Sequence, residues 1–245
     1  MAGVRIDRLL VDRGLVPSRE RAQRLILAGE VLVDDRPVTK AGTVVPADAA
    51  LRLRTPASPY VSRGGEKLAG ALDAFGVDPS GLVAVDVGAS TGGFTDCLLR
   101  RGARRVFAVD VGYGQLAWSL RQDARVVVLE RVNARGLDAS MLDEVPDLAT
   151  VDVSFISLTL IVPVVAAVVR PGGTIVAMVK PQFEAGRGQV GKGGVVRDDA
   201  VRAEAVARVR GAAEACGLVV RDEADAVIAG PKGNREVFLS MERPA

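Results

Sequence analysis

Three acids and one lysine stand at the ends of short apolar runs in this chain. Asp86 closes the run 82–86, Asp110 the run 106–110, Asp152 the run 148–152 and Lys180 the run 174–180. Apolar runs of that length, with helical spacing between most of them, predict buried parallel strands. Strand ends of one parallel sheet face a common crevice, so these four side chains should converge. Carboxylates and an amine gathered there can accept ribose hydroxyls, hold a cation and move a proton. A charged Lys180 ending the run Thr174–Val179 is hard to explain as packing, although an Asp152–Lys180 ion pair without chemistry stays open. With no histidine in the chain, His-based triads and His-ligated metals are excluded. The catalyst must be built from Lys, Asp, Glu, Ser or Tyr, and no metal is expected.

After the first run comes a turn of small residues, Gly88-Ala89-Ser90-Thr91-Gly92-Gly93, and Phe94 then opens helical apolar spacing to Arg101. Strand, tight turn and helix form the first unit of a Rossmann-like sheet, which binds nucleotide-like cofactors beyond its strand ends. Gly88 and Gly92 permit unusual backbone angles and close approach of a ligand. The turn fails the dinucleotide pattern G-x-G-x-x-G, because Ser90 stands where glycine is needed. Asp86 would repel a pyrophosphate and suits an ammonium or sulfonium, which points to S-adenosylmethionine. Asp110 lies about 20 residues beyond the turn, where such sheets place the acid for ribose hydroxyls. Its neighbour Val111, Asn133 beside the adenine, Asp152 and Phe155 complete the expected cofactor set.

A chain of 245 residues with 49% hydrophobic content can bury a medium α/β domain plus a small one. The formal net charge of +2 makes any nucleic-acid surface local. Cys97 and Cys216 lie far apart in helical patterns and imply a reducing cytosol. Arg5, Asp7 and Arg8 interrupt any apolar signal, so a cytoplasmic protein is expected. Phe155–Val169 is shorter than the roughly 20 residues a membrane span needs and predicts a core helix. Arg100, Arg101, Arg104 and Arg105 sit before the second strand, opposite the cofactor edge, and are expected to be mainly structural. Gly186–Gly193 nearly spells a phosphate loop, but Gly193 replaces the required Ser or Thr. It reads instead as a basic Gly-rich loop offering Arg187 and Lys192 to RNA.

Residues 1–54 predict a small basic α+β domain, residues 55–60 a linker and 61–245 the large domain. Two short helices, Arg5–Leu15 and Arg19–Ala28 with Ser18 as N-cap, precede short strands around Asp34-Asp35-Arg36-Pro37. The segments Arg5-Ile6-Asp7-Arg8-Leu9-Leu10, Ser18-Arg19-Glu20-Arg21-Ala22 and Ile26-Leu27-Ala28-Gly29-Glu30-Val31-Leu32-Val33-Asp34 resemble the S-four RNA-binding domain. That resemblance implies that Arg5, Arg19 and Lys40 bind RNA phosphates, which positions a partner without reading its sequence.

Leu218–Ile228 and Glu236–Met241 are strand-like and closely joined, so the last strand should run antiparallel, giving the usual sheet of class I methyltransferases. With Lys67 and Glu236 added, Asp152 and Lys180 look like the Lys-Asp-Lys-Glu catalytic tetrad of FtsJ-type ribose 2′-O-methyltransferases. The whole chain resembles the TlyA (hemolysin A) family through Val61-Ser62-Arg63-Gly64-Gly65, the Gly88–Gly93 turn, Val151-Asp152-Val153-Ser154-Phe155 and Val179-Lys180-Pro181-Gln182-Phe183-Glu184. The resemblance implies methyl transfer to cytidine 2′-hydroxyls of small-subunit ribosomal RNA, large-subunit ribosomal RNA or both, and a link in relatives to capreomycin sensitivity. Arg63 is a further expected RNA contact, ribosomal subunits the expected partner, and a monomer without membrane contact the expected state. The rival readings are a non-catalytic ribosome assembly factor and a hemolysin.

Overall fold

The structure, a computed structural model, describes residues 3–54, 58–186, 188–230 and 232–245. The chain divides into two compact units, Met1–Pro59 and Tyr60–Ala245. Residues 55–57 of the expected linker, together with the expected RNA contact Arg187, lie outside the described residues. Tyr60, read from sequence as the last linker residue, belongs to the second unit, where its ring lies 5.7 Å from the Arg100 guanidinium.

The first unit runs β1 (Gly3–Arg5), α1 (Ile6–Asp12), α2 (Arg19–Leu27), β2 (Val31–Val33), β3 (Arg36–Val38), β4 (Val44–Pro46) and β5 (Leu51–Leu53). Ser18 caps α2 by accepting from the Arg21 amide at 3.2 Å. Asp34 and Asp35 both adopt positive φ, 47° and 63°, as a two-residue hairpin of the primed type requires. That turn pairs β2 with β3, and β5 flanks β2 on its other side, while β1 pairs with β4. Ile6, Leu10, Ile26 and Val31 are fully buried between helices and strands.

The second unit continues with α3 (Gly64–Phe75), β6 (Val83–Val87), α4 (Gly93–Arg100), β7 (Arg105–Asp110), α5 (Trp118–Arg121), β8 (Val126–Glu130), β9 (Leu148–Val151), α6 (Val162–Val168), β10 (Thr174–Val179), α7 (Pro181–Glu184), α8 (Asp199–Ala215), β11 (Val219–Asp225) and β12 (Val237–Glu242). Its seven strands are ordered β11-β12-β10-β9-β6-β7-β8. Strands β10, β9, β6, β7 and β8 are parallel, and β12 runs antiparallel between β10 and β11. This is the expected class I methyltransferase sheet. Strand alternation sends Val85 and Val87 into one core with α6 and α8, and Ala84 into the other with α3, α4 and α5.

The single core helix expected over 155–169 is divided. A 3₁₀ turn, Leu158–Leu160, precedes α6, and Pro163 stands in the first turn of α6. Proline fits there because the first helical amides need no internal partner. Phe155 stays outside the helix, with φ 64°. The arginines expected to be structural make ion pairs at the start of β7 and just before it: Arg101 with Asp73 at 2.7 Å, Arg105 with Asp143 at 2.6 Å, and Arg104 with Glu144.

Candidate active site

At the carboxyl edge of β6, β9 and β10 a cavity of about 620 Å³ adjoins a second of about 510 Å³. Gly88, Ser90, Asp152, Ser154 and Phe155 line both, so they form one continuous crevice. The larger part receives Lys67, Asp152, Lys180 and Glu236 together. Lys67 comes from the first turn of α3, Asp152 and Lys180 directly follow neighbouring strands, and Glu236 directly precedes β12. Sheet order brings Asp152, Lys180 and Glu236 together, and the start of α3 adds Lys67.

The four form two ion pairs of different character. Lys67 and Glu236 bond to each other with side chains only 8% and 3% exposed. Lys180 Nζ lies 2.5 Å from Asp152 Oδ1 and donates to Ser154 Oγ at 2.9 Å. Burial pushes the Asp152 carboxyl above its ordinary range, while Lys180 and, more weakly, Lys67 pull it back. Ser154 was missed as a partner, although it lies in a quoted motif. In an extended segment, residues two apart share a side, so 152 and 154 can meet one lysine.

The turn Gly88–Phe94 forms the floor. Gly88 has φ 91°, and a Cβ there would lie 2.6 Å from the Asp152 carbonyl oxygen. Only glycine permits this close approach of the two strand ends. Gly92, at φ 98°, leads into α4. Ala89, Thr91, Gly93 and Phe94 line the larger cavity. Asp110, Val111 and Asn133 line the smaller one. The Asp110 carboxylate accepts from the Ser90 amide at 2.8 Å and the Gly112 amide at 2.6 Å, which fixes it at the crevice edge. Asn133 accepts from the Arg135 amide at 3.0 Å. Phe155 is 91% exposed and stands 5.1 Å, ring to ring, from Phe183.

Asp86 departs from expectation. Strand alternation turns it to the α4 face, where it is fully buried. It accepts from Thr95 Oγ1 at 2.7 Å and Thr150 Oγ1 at 3.2 Å. It lies beneath the turn and does not line the crevice, so a direct contact with a sulfonium is not what it supplies. Burial pushes its carboxyl up to about 7.

Among the expected RNA contacts, Arg63 lines the larger cavity, and Lys192 is exposed on the following loop. In the first unit, Arg5 and Arg19 both reach buried Asp7, at 3.0 and 2.9 Å, and Gln23 donates to the same carboxylate at 3.1 Å. The Arg5 hydrogen bond leads in holding Asp7 well below the usual carboxylate range, against burial. Lys40 is exposed. Besides Ser154, sequence reading missed Gln182, Phe183, Lys232 and Asn234, which also line the larger cavity.

The residues present suit an S-adenosyl group. A carboxylate is fixed where ribose hydroxyls need an acceptor, Val111 and Phe155 supply apolar surface, and Gly88 leaves the floor without a side chain.

Comparison with known proteins agrees. FtsJ-like methyltransferase matches residues 60–243, and the S-four (S4) domain matches residues 4–50. The chain is 49% identical to 16S/23S rRNA (cytidine-2′-O)-methyltransferase TlyA of Mycobacterium tuberculosis, over 96% of this chain and 88% of that protein. A solved hemolysin-named protein from Streptococcus thermophilus is 40% identical, with TM-score 0.78, covering all of this chain and 90% of that one. N-methyltransferase NodS from Bradyrhizobium japonicum, solved with S-adenosyl-L-homocysteine, shares the fold at 13% identity and TM-score 0.53, over 75% of this chain and 86% of its own. The chain belongs to the FtsJ-like methyltransferase family, within the TlyA (hemolysin A) group that joins this domain to an S-four domain.

Proposed function

We propose that this protein is an S-adenosylmethionine-dependent methyltransferase that modifies the ribose 2′-hydroxyl of cytidine in ribosomal RNA. The observation that carries the reading is the convergence of Lys67, Asp152, Lys180 and Glu236 on the cavity floored by the Gly88–Phe94 turn. Asp110 and Asn133 would hold the adenosine part of the cofactor, and the turn with Asp152 its amino-acid part. When bound, S-adenosylmethionine supplies an electrophilic methyl group on a sulfonium.

A ribose hydroxyl is a poor nucleophile until its proton is removed or strongly hydrogen-bonded. Lys180 would hold that hydroxyl, and only as the neutral amine would it take the proton, a form that Asp152 opposes and the nearby Lys67 favours. Asp152 and Ser154 fix the amine from two directions, so little freedom is lost when the hydroxyl arrives. Lys67, braced by Glu236, would orient the neighbouring phosphate. Arg63 and Lys192 offer further phosphate contacts near the crevice, and Arg187 keeps the same assignment from sequence. In the first unit, Arg5, Arg19 and Lys40 would add affinity without reading sequence. The partner we infer is ribosomal RNA within ribosomal subunits, met by a monomer in the cytoplasm. Among the described residues no helix is long and apolar enough to cross a membrane.

The test is methyl transfer from radiolabelled S-adenosylmethionine to isolated ribosomal subunits by wild type and Lys180→Ala. Label should enter RNA at a cytidine ribose with wild type alone. Binding of subunits without any transfer by wild type would favour an assembly factor instead.

A further inference from the structure

The segment Gly233-Asn234-Arg235-Glu236 supplies the tetrad with Glu236, but Asn234 is as deeply buried, at 3% exposure for each residue. The chain is extended here, so 234 and 236 face inward while Arg235 faces out to Asp199 at 3.0 Å. A buried amide must find partners for both ends. Asn234 finds them on one loop. Its Oδ1 accepts from the Val196 amide at 2.9 Å, and its Nδ2 donates to the Gly194 carbonyl at 2.8 Å.

That loop, residues 188–196, has little structure of its own. Gly191 and Val195 form an isolated bridge, and Gly188, Gly193 and Gly194 all have positive φ. Val190 and Gly194 line the larger cavity, and Lys192 is exposed. At its other end Asn234 belongs to a tight turn. Its carbonyl accepts from the Gly230 amide at 2.9 Å, and Gly230 abuts the Glu236 carboxylate so closely that a Cβ would lie 2.8 Å from Oε1. One side chain thus ties the Gly-rich loop to the turn that presents Glu236 to Lys67.

We propose that Asn234 is a positioning residue for the RNA acceptor, fastening the 188–196 loop to the Glu236 turn so that loop and Lys67–Glu236 pair are placed together. This rests on the methyltransferase reading, and it deepens it by naming what orders the acceptor side of the crevice. Neither Val196 nor Gly194 touches the smaller cavity around Asp110, the side that would hold the adenosine part of the cofactor, so the latch should weigh on the acceptor more than on the cofactor.

The experiment compares wild type, Asn234→Ala and Asn234→Asp by hydrogen exchange and by steady-state methylation of ribosomal subunits. In Asn234→Ala the Val196 amide loses its acceptor, and exchange across 190–196 should quicken by about tenfold or more while the β6–β10 core is unchanged. Asn234→Asp keeps that acceptor and loses the donor to Gly194, so its loop should exchange at an intermediate rate. KM for subunits should rise by about tenfold in Asn234→Ala, with S-adenosylmethionine affinity within about twofold of wild type. Unchanged exchange at Val196 in both variants, or a parallel loss of cofactor affinity and global protection, would overturn the proposal. A wild type that transfers no methyl group would instead overturn the methyltransferase reading, while the exchange data would still decide whether the latch exists.

Discussion

Lys180 and Asp152 form an ion pair across the ends of adjacent parallel strands, Nζ 2.5 Å from Oδ1, and Ser154 takes a hydrogen bond from the same amine. The lysine is held by both groups and still lines the cavity. Lys180→Ala should lower the single-turnover methylation rate by about 10²–10⁴, the usual worth of a positioned proton acceptor. Ser154→Ala leaves the Asp152 contact in place and should cost only about tenfold, since it loosens the amine without removing it. Cofactor affinity, read by calorimetry, should be near wild type in both. A Lys180→Ala enzyme with full turnover would refute the role.

Lys67 and Glu236 are buried more completely, and their contribution divides differently between stability and activity. Removing one partner leaves the other charge uncompensated in the interior, which typically costs about 3–5 kcal/mol. Lys67→Met and Glu236→Leu alone should each lower the urea midpoint markedly. The double variant exchanges the pair for apolar volume and should recover most of that loss. It should remain inactive, because the Lys67 ammonium that would orient the phosphate beside the hydroxyl is gone. Recovery of both stability and methylation would show the pair to be scaffold only.

Much of this site was legible because strand ends carry it. Asp110, Asp152 and Lys180 each end an apolar run, and parallel order brings such ends to one edge. Asp86 ends a run too, yet period-two alternation points it under α4, and its hidden partners Thr95 and Thr150 lie 9 and 64 positions away. No local pattern reveals that choice of face. The same limit applies to Asn234, whose partners Val196 and Gly194 lie about 40 positions back. The predicted core helix over 155–169 failed for a local reason: Pro163 favours a helical first turn, so the helix starts beside it and leaves Phe155 free to stand at the crevice.

The buried Asp86 makes stability depend on pH in a stated direction. Burial raises its carboxyl in the folded chain from the ordinary aspartate value of 3.8 to about 7. Between those values the folded chain binds the extra proton, so this group's contribution falls as pH rises from about 4 to 7 and stays lost above that. Asp86→Asn removes the titration while keeping an acceptor for one threonine. The stability difference between Asn and Asp variants should therefore move in favour of Asn on going from pH 5 to pH 8, on the order of 1–3 kcal/mol. Equal differences at both pH values in urea titrations would show that Asp86 is ionised throughout.

Asp7 offers the sharpest test of the first unit, because charge counting and geometry disagree about it. Arg5 and Arg19 both converge on this one buried carboxylate, and their own side chains are 51% and 57% exposed. Asp7→Asn raises the net charge by one, so a purely electrostatic view expects tighter RNA binding. If Asp7 instead holds the two guanidinium groups in register for phosphates, ordering is lost and binding weakens despite the added charge. The expected result is about a tenfold weaker Kd for ribosomal subunits at moderate salt. Arg5→Ala and Arg19→Ala should each weaken binding and reduce the slope of log K against log salt by about one. Asp7→Asn should retain most of that slope, since both cations remain. Tighter binding by Asp7→Asn at every salt concentration would mean that Asp7 merely masks positive charge.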